Sequence, residues 1–153
     1  MDPTIAERPL EGLSAVVTGG SRGLGLLLSR ELGRRGCAVT IAARDREKLQ
    51  DAAVFLREDT GARVHTQVCD VRDSDQVRAL METAAEREGG VDIAIGNAGI
   101  IQVGPVGALT TQDFRDAMDT IFFGALHTAM QALPHLRRSP SGGRLGLIGS
   151  IGG

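Results

Sequence analysis

The stretch Thr18-Gly19-Gly20-Ser21-Arg22-Gly23-Leu24-Gly25 constrains this chain more than any other. It follows an apolar run, Ala15-Val16-Val17, and a helical pattern opens at Leu24. A strand, a glycine-rich turn and a helix in that order form a phosphate cradle. The turn exposes backbone N–H groups, and the helix N-terminus adds a partial positive charge. Glycine is needed where the chain turns tightly and where a pyrophosphate must meet the backbone with no Cβ in the way. The spacing is Gly-x-x-x-Gly-x-Gly, one residue longer in its first gap than the commoner dinucleotide fingerprint, so the motif takes its meaning from the rest of the chain.

That context is a regular alternation. Leu13 to Val17 is apolar but for Ser14, as suits a buried parallel strand. The helix after the glycines places Leu24, Leu27, Leu28 and Leu32 on one predicted core face and stops at Gly36. Ala38 to Ala43 is a second strand. Asp45 caps a helix carrying Leu49, Ala52, Ala53 and Leu56, which ends before Gly61. Arg63 to Val68 is a third strand, followed by Cys69 and Asp70. Asp73 to Gln76 has capping-box spacing ahead of a helix with Val77, Leu80, Met81, Ala84 and Ala85, which stops at Gly89-Gly90. Val91 to Ile95 is a fourth strand running into Gly96-Asn97-Ala98-Gly99. One long helix is predicted over 111–136, with Phe114, Ala117, Met118, Ile121, Ala125 and Thr128 on one stripe. Phe114, Met118 and Ile121 read as core or interface. After a turn-rich linker, Leu145 to Ile148 is a fifth strand, predicted to have an unprotected edge.

The order βαβαβαβαβ predicts an α/β fold, a doubly wound parallel sheet of five strands with helices on both faces. Residues 1–153 read as a single domain, expected to be incomplete at the carboxyl end because the last residues look like a strand entering a loop. In such sheets ligands sit at the carboxyl ends of the strands. Gly19, Arg44, Asp70, Asn97 and Ser150 all fall there.

Composition narrows the class. Net charge is −2 with acids and bases interspersed, which offers no basic patch for nucleic acid. No apolar run approaches a membrane span, and residues 1–7 lack the pattern of a signal peptide. Cys37 and Cys69 match no metal or disulfide spacing. A cytoplasmic protein with both thiols reduced and buried is expected. His65, His127 and His135 are scattered and read as solvated or packed side chains.

These residues together resemble the short-chain dehydrogenase/reductase family. The glycine stretch is similar to its cofactor motif, and Cys69-Asp70-Val71 to its adenine-contacting segment. Gly96-Asn97-Ala98-Gly99 resembles its Asn-Asn-Ala-Gly signature, and Ile148-Gly149-Ser150 the strand end bearing its catalytic Ser. The resemblance implies a Rossmann fold that binds a nicotinamide cofactor through Thr18, Gly19, Ser21, Arg22, Gly23, Leu24, Gly25, Arg44, Asp70, Val71, Asn97, Ala98 and Gly99. It implies hydride transfer between NADP(H) and a carbonyl or alcohol substrate, and a helix at 111–136 of the kind relatives use to form homo-oligomers.

An acid ending the second strand would bind ribose hydroxyls and repel a 2′-phosphate. Arg44 stands there instead, offering a fork of donors, and Arg22 can reach the same phosphate, so NADP is expected over NAD. Arg44 also argues against a methyltransferase, which would want that acid. Asp70 reads as an adenine ligand or as a loop acid accepting backbone N–H bonds, and Asn97 as a turn strut, a cofactor-site residue or both.

The catalytic end reads differently. The resemblance gives Ser150 the substrate oxygen, and gives proton transfer to a Tyr and a Lys whose places lie beyond Gly153. The 153 residues contain no tyrosine, and their one lysine, Lys48, is in the second helix. Ile121 holds the place of the family's helix Asn and has neither donor nor acceptor. The expectation is therefore an amino-terminal, NADP-binding portion of an oxidoreductase that is not competent alone. The rival reading is a non-catalytic NADP-binding or redox-sensing module.

Overall fold

The computed structural model describes residues 9–101 and 104–149. Five strands form one parallel sheet: β1 Ser14–Thr18, β2 Ala38–Ala43, β3 Val64–Val68, β4 Ile93–Gly96 and β5 Arg144–Leu147. Their order is β3-β2-β1-β4-β5. The register aligns Val16 with Thr40 of β2 and with Ala94 of β4, and Thr40 in turn with His65 of β3. The doubly wound sheet is thus as expected, with strand ends shifted by one or two residues.

Helices cover both faces. α1 Gly23–Arg34 and α2 Arg46–Thr60 lie on the face where Ala15, Val17, Val39, Ile41, Leu49 and Leu56 form one core. α3 Ser74–Glu88 lies on the other, where Val16, Ala94, Val77, Leu80, Met81 and Ala132 form a second. The predicted stops hold. Gly36, Gly61 and Gly89 have φ of 95°, 67° and 79°, the left-handed region that ends a helix cheaply only at glycine. Asp45 caps α2 by accepting the Lys48 N–H at 3.1 Å. Asp73 caps α3 by accepting the N–H groups of Asp75 and Gln76.

Two predicted apolar faces are corrected in part, since only Leu32 of the first packs on the core and Thr128 of the second is buried. Leu24 and Leu27 of α1 are 51% and 57% exposed, and the residues buried are Gly25, Ser29 and Gly33. α1 approaches its neighbours so closely that a leucine would not fit. A Cβ on Gly33 would lie 2.9 Å from Thr60 Oγ1 and 3.2 Å from the Ala62 Cβ. The same happens along 111–136. That helix runs as α4 Thr111–Ala117, a wider π-helical stretch Met118–Phe123, and α5 Gly124–Leu136. Its buried residues are Thr120, Gly124, Thr128, Ala132 and Leu136, while Phe114, Met118 and Ile121 face outward. Of the predicted stripe, Thr128 is core, and of the two readings for Phe114, Met118 and Ile121 the core one is excluded. The inward seam is small because a Cβ on Gly124 would meet Val71 Cγ2 at 2.6 Å. Both seams bury hydroxyls without orphaning them: Ser29 donates to the Gly25 carbonyl and Thr128 to the Gly124 carbonyl, each at 2.8 Å.

Candidate cofactor site

The chain passes from β1 outward to β2 and β3, then returns across the sheet to β4. The carboxyl-edge crevice therefore lies between β1 and β4, where the direction of winding reverses. Along that edge the loops stand in the order Asp70 after β3, Arg44 after β2, the glycine turn after β1, and Asn97 after β4. Residues scattered over 80 positions of sequence thus line one edge. Ser150, the fifth candidate, lies outside the described residues.

The glycine turn is built by packing below and openness above. A Cβ on Gly25 would lie 2.2 Å from the Gly19 carbonyl oxygen and 2.4 Å from Asn97 Nδ2, so the helix can start against the turn only with glycine there. Gly23 has φ of 56° and nothing within 4 Å of a would-be Cβ, so its constraint is conformational and the space above it is open. Among the described residues no acceptor faces the N–H groups of Gly23, Leu24 and Gly25, the first turn of α1. Three unengaged donors at a helix N-terminus fit an anion.

Asn97 acts as the strut of this turn. Its Nδ2 donates to the carbonyls of Thr18 and Gly19, each at 3.2 Å. Thr18 Oγ1 accepts the N–H groups of Asn97 at 3.0 Å and Ala98 at 3.2 Å. The end of β1 and the end of β4 are thereby tied into one platform, with Gly99 exposed beside it.

Arg22 and Arg44 are exposed and form no ion pair within 4 Å among the described residues. Asp45 is next in sequence to Arg44, but its carboxylate is occupied at the cap: Oδ1 takes the Lys48 N–H and Oδ2 the Lys48 ammonium at 3.0 Å. The end of β2 thus offers a guanidinium outside any close ion pair among the described residues, with Asp70 at longer range, and an engaged acid.

Asp70 has a partner that sequence reasoning missed. Arg72 Nε lies 3.0 Å from both carboxylate oxygens, and Nη2 donates to Oδ2 at 2.6 Å. The Arg72 N–H adds a bond to Oδ1 at 3.0 Å, so Asp70 is also the loop acid of the alternative reading. The Arg72 guanidinium holds the Asp70 carboxyl below the usual carboxylate range, partly opposed by burial. The capping box expected at Asp73 and Gln76 is redirected: Gln76 Oε1 accepts the Asp70 N–H at 3.0 Å. The signal for Arg72 was the i, i+2 spacing to an acid in a tight loop. The Val71 N–H meets no acceptor among the described residues, leaving a free donor beside Asp70.

Of the histidines, His65 packs against Glu88 at 2.7 Å and His127 donates through Nδ1 to the Val71 carbonyl at 2.8 Å. Both cysteines are buried, and burial pushes the thiols up to about 12 for Cys37 and about 11 for Cys69. A concavity of about 690 Å³ between Glu82, Asp92 and His135 opens at the opposite edge of the sheet. No described helix is long and apolar enough to cross a membrane.

Comparison with known proteins agrees with this arrangement. The family described as short chain dehydrogenase matches residues 14–153. A tropinone reductase homolog of Arabidopsis thaliana is 38% identical over 147 residues, covering 94% of this chain and 53% of that protein. Senescence-associated protein 13 of the same plant is 39% identical over 147 residues, again 94% and 53%. An alcohol dehydrogenase from Thermococcus sibiricus complexed with 5-hydroxy-NADP superposes with a TM-score of 0.81 at 30% identity, over 88% of this chain and 57% of that one. L-Sorbose reductase from Gluconobacter frateurii, complexed with NADPH and L-sorbose, gives 0.84 at 28% identity, over 93% and 54%. The chain spans about half the length of the curated relatives it matches.

Proposed function

The chain belongs to the short-chain dehydrogenase family, and from that premise we propose that it is the NADP-binding portion of an oxidoreductase acting on a carbonyl or alcohol substrate. The observation that carries the choice of NADP is the pair of exposed guanidinium groups of Arg22 and Arg44, outside any close ion pair among the described residues, beside the open α1 N-terminus. A ribose-reading acid is absent from the end of β2, and Asp45 is spent on its helix cap. Guanidinium forks suit a 2′-phosphate. The 5-hydroxy-NADP and NADPH complexes of the two superposed enzymes support the same reading.

Thr18, Gly19, Ser21, Arg22, Gly23, Leu24 and Gly25 would hold the pyrophosphate, and Arg44 with Arg22 the 2′-phosphate. Asp70 and Val71 would take the adenine edge, an acceptor beside a donor. Asn97, Ala98 and Gly99 would line the nicotinamide side. When bound, the cofactor supplies the hydride carrier. Ser150 would polarise the substrate oxygen. Proton transfer needs a group of matched pKa, and the 153 residues offer no tyrosine and an isoleucine at position 121, so these residues alone bind cofactor without completing turnover.

Ile121 favours a second reading, a non-catalytic NADP-binding or redox-sensing module. It is 49% exposed on the π-helical stretch and brings no polar atom there. The outward apolar row on 111–136 supports homo-oligomerisation in either case. The proposed location is the cytoplasm.

Calorimetric titration with NADPH and NADH tests the cofactor reading. NADPH should bind at least about tenfold more tightly, as one charge-assisted bond requires. Arg44→Asp should reverse the order. Binding of neither cofactor sinks both readings.

A further inference from the structure

Asp70 sits on a loop whose backbone is held from several sides. Its N–H goes to Gln76 Oε1 at 3.0 Å, its carbonyl takes the Asp73 N–H at 3.1 Å, and the next carbonyl, of Val71, takes His127 Nδ1–H at 2.8 Å. The carboxylate is held differently. Among the described residues all of its hydrogen bonds come from Arg72, through the side chain's Nε and Nη2 and the backbone N–H, and Arg44 acts on it only at longer range. Loop and carboxylate therefore have separate supports. Removing the guanidinium would leave the carboxylate held by the backbone N–H at Oδ1 alone, with Oδ2 unclamped, and would leave the loop in place.

We propose that Arg72 is a positioning residue for purine recognition: its fork fixes the Asp70 carboxylate as an oriented, charge-balanced acceptor for an exocyclic amine. This rests on the cofactor reading above and goes beyond it by assigning a residue that touches neither phosphate nor nicotinamide. A carboxylate free to rotate loses orientational freedom on gripping an amine, whereas one already clamped does not. The fork uses two of the five guanidinium N–H groups, Nε–H and one on Nη2, and spans both oxygens. Three hydrogens, on Nε, Nη2 and the backbone N, meet about four lone-pair sites, so the carboxylate keeps capacity for one further donor. The guanidinium also offsets the carboxylate charge, which would otherwise oppose a polyanionic cofactor. At 40% exposure Arg72 stays solvated enough to be removed without opening the core.

The test compares NADPH with its reduced hypoxanthine analogue, in which a carbonyl oxygen replaces the adenine amine. General charge effects act on both ligands and cancel in the ratio of their affinities. The full chain should prefer NADPH about tenfold, as loss of a charge-assisted bond implies. In Arg72→Ala the preference should fall below about threefold, because an unclamped carboxylate grips the amine poorly. Arg72→Lys keeps the charge, loses the fork and should lie between. In an Asp70→Asn background, Arg72→Ala should move the ratio by less than about twofold, since the effect runs through Asp70.

A ratio unchanged in Arg72→Ala overturns the proposal and leaves the cofactor reading standing. So does tighter NADPH binding in that variant, which would make Arg72 a competitor of the purine. If the alanine variant does not fold, an unmoved ratio in Arg72→Lys decides against it. Failure of the unmodified chain to bind either ligand overturns the cofactor reading and this proposal with it.

Discussion

β1 and β5 are parallel strands of one sheet, two places apart, and they live in different surroundings. Every residue of β1 is buried, and Ala15, Val16 and Val17 are wholly inaccessible. In β5 only Gly146 is even half-buried, and Leu145 and Leu147 are 43% and 51% exposed. The contrast extends to the helices. α2 and α3 bury their leucines, Leu49, Leu56 and Leu80, at 1% exposure or less. The 111–136 helix turns Phe114, Met118, Phe122 and Met130 outward at more than half exposure. The elements from β1 to β4 thus carry most of the core and the candidate cradle, with Leu24 and Leu27 of α1 outward, while β5 and the 111–136 helix present apolar surface outward and add Ala132 and Leu136 to the core. A cofactor platform can be rigid where the sheet is covered on both faces, independently of what meets the far side.

The sharpest way to break this contrast is a pair of truncations. Leu80→Ala should destabilise the chain by about 2–5 kcal/mol, as for any fully buried leucine. Phe122→Ala, at a side chain 53% exposed, should cost no more than about 0.5 kcal/mol. Denaturant melts measure both, and equal losses would erase the distinction between the two regions.

Gly25→Val probes the platform itself. Its Cβ would collide with the Gly19 carbonyl, so a loss of about 1–3 kcal/mol is expected together with loss of NADPH binding. Retained binding would mean that the turn is softer than its packing implies. Phe122→Asp is expected to leave the melt nearly unchanged and to lower the mass seen by sedimentation, if the outward row meets a second copy. An unaltered mass would remove self-association from that face.

The smallest effect is on pH dependence, and it belongs to the covered region. Hydrogen bonds from Arg30 and then Arg34 draw the Asp59 carboxyl down to about 2. A folded value below the ordinary one means that the pairing contributes at neutral pH and is lost as pH falls. The loss is expected between about pH 4 and pH 2. Asp59→Asn should flatten the acid limb of melting temperature against pH in that window, and an unchanged limb would show that the α1–α2 pairing contributes nothing.

Much of the architecture was legible beforehand because its causes are local. Gly36, Gly61 and Gly89 end helices through the sign of φ, and Asp45 and Asp73 begin them through bonds reaching three residues at most. Of the candidate site, Gly19, Arg44, Asp70 and Asn97 do come to one edge, because parallel strands joined by helices put every strand end on the same side. The partner of Asp70 was not legible. A capping box at Asp73 and Gln76 can be read from spacing, but the competition in which Gln76 turns to the Asp70 N–H depends on the folded loop.

Residue order by itself therefore determined the alternation of strand and helix, the caps and stops, and the glycine turn. Each follows from backbone stereochemistry and near-neighbour bonding. Apolar periodicity also gave the inward faces of α2 and α3, and only the tertiary structure decided which side of α1 and of the 111–136 helix faces inward. Apolar periodicity pointed to the leucines of α1 and the Phe114–Ile121 row, yet the inward seams are Gly25-Ser29-Gly33 and Thr120-Gly124-Thr128. Periodicity measures hydrophobicity. Where backbones come within a Cβ of one another, close packing selects by size instead.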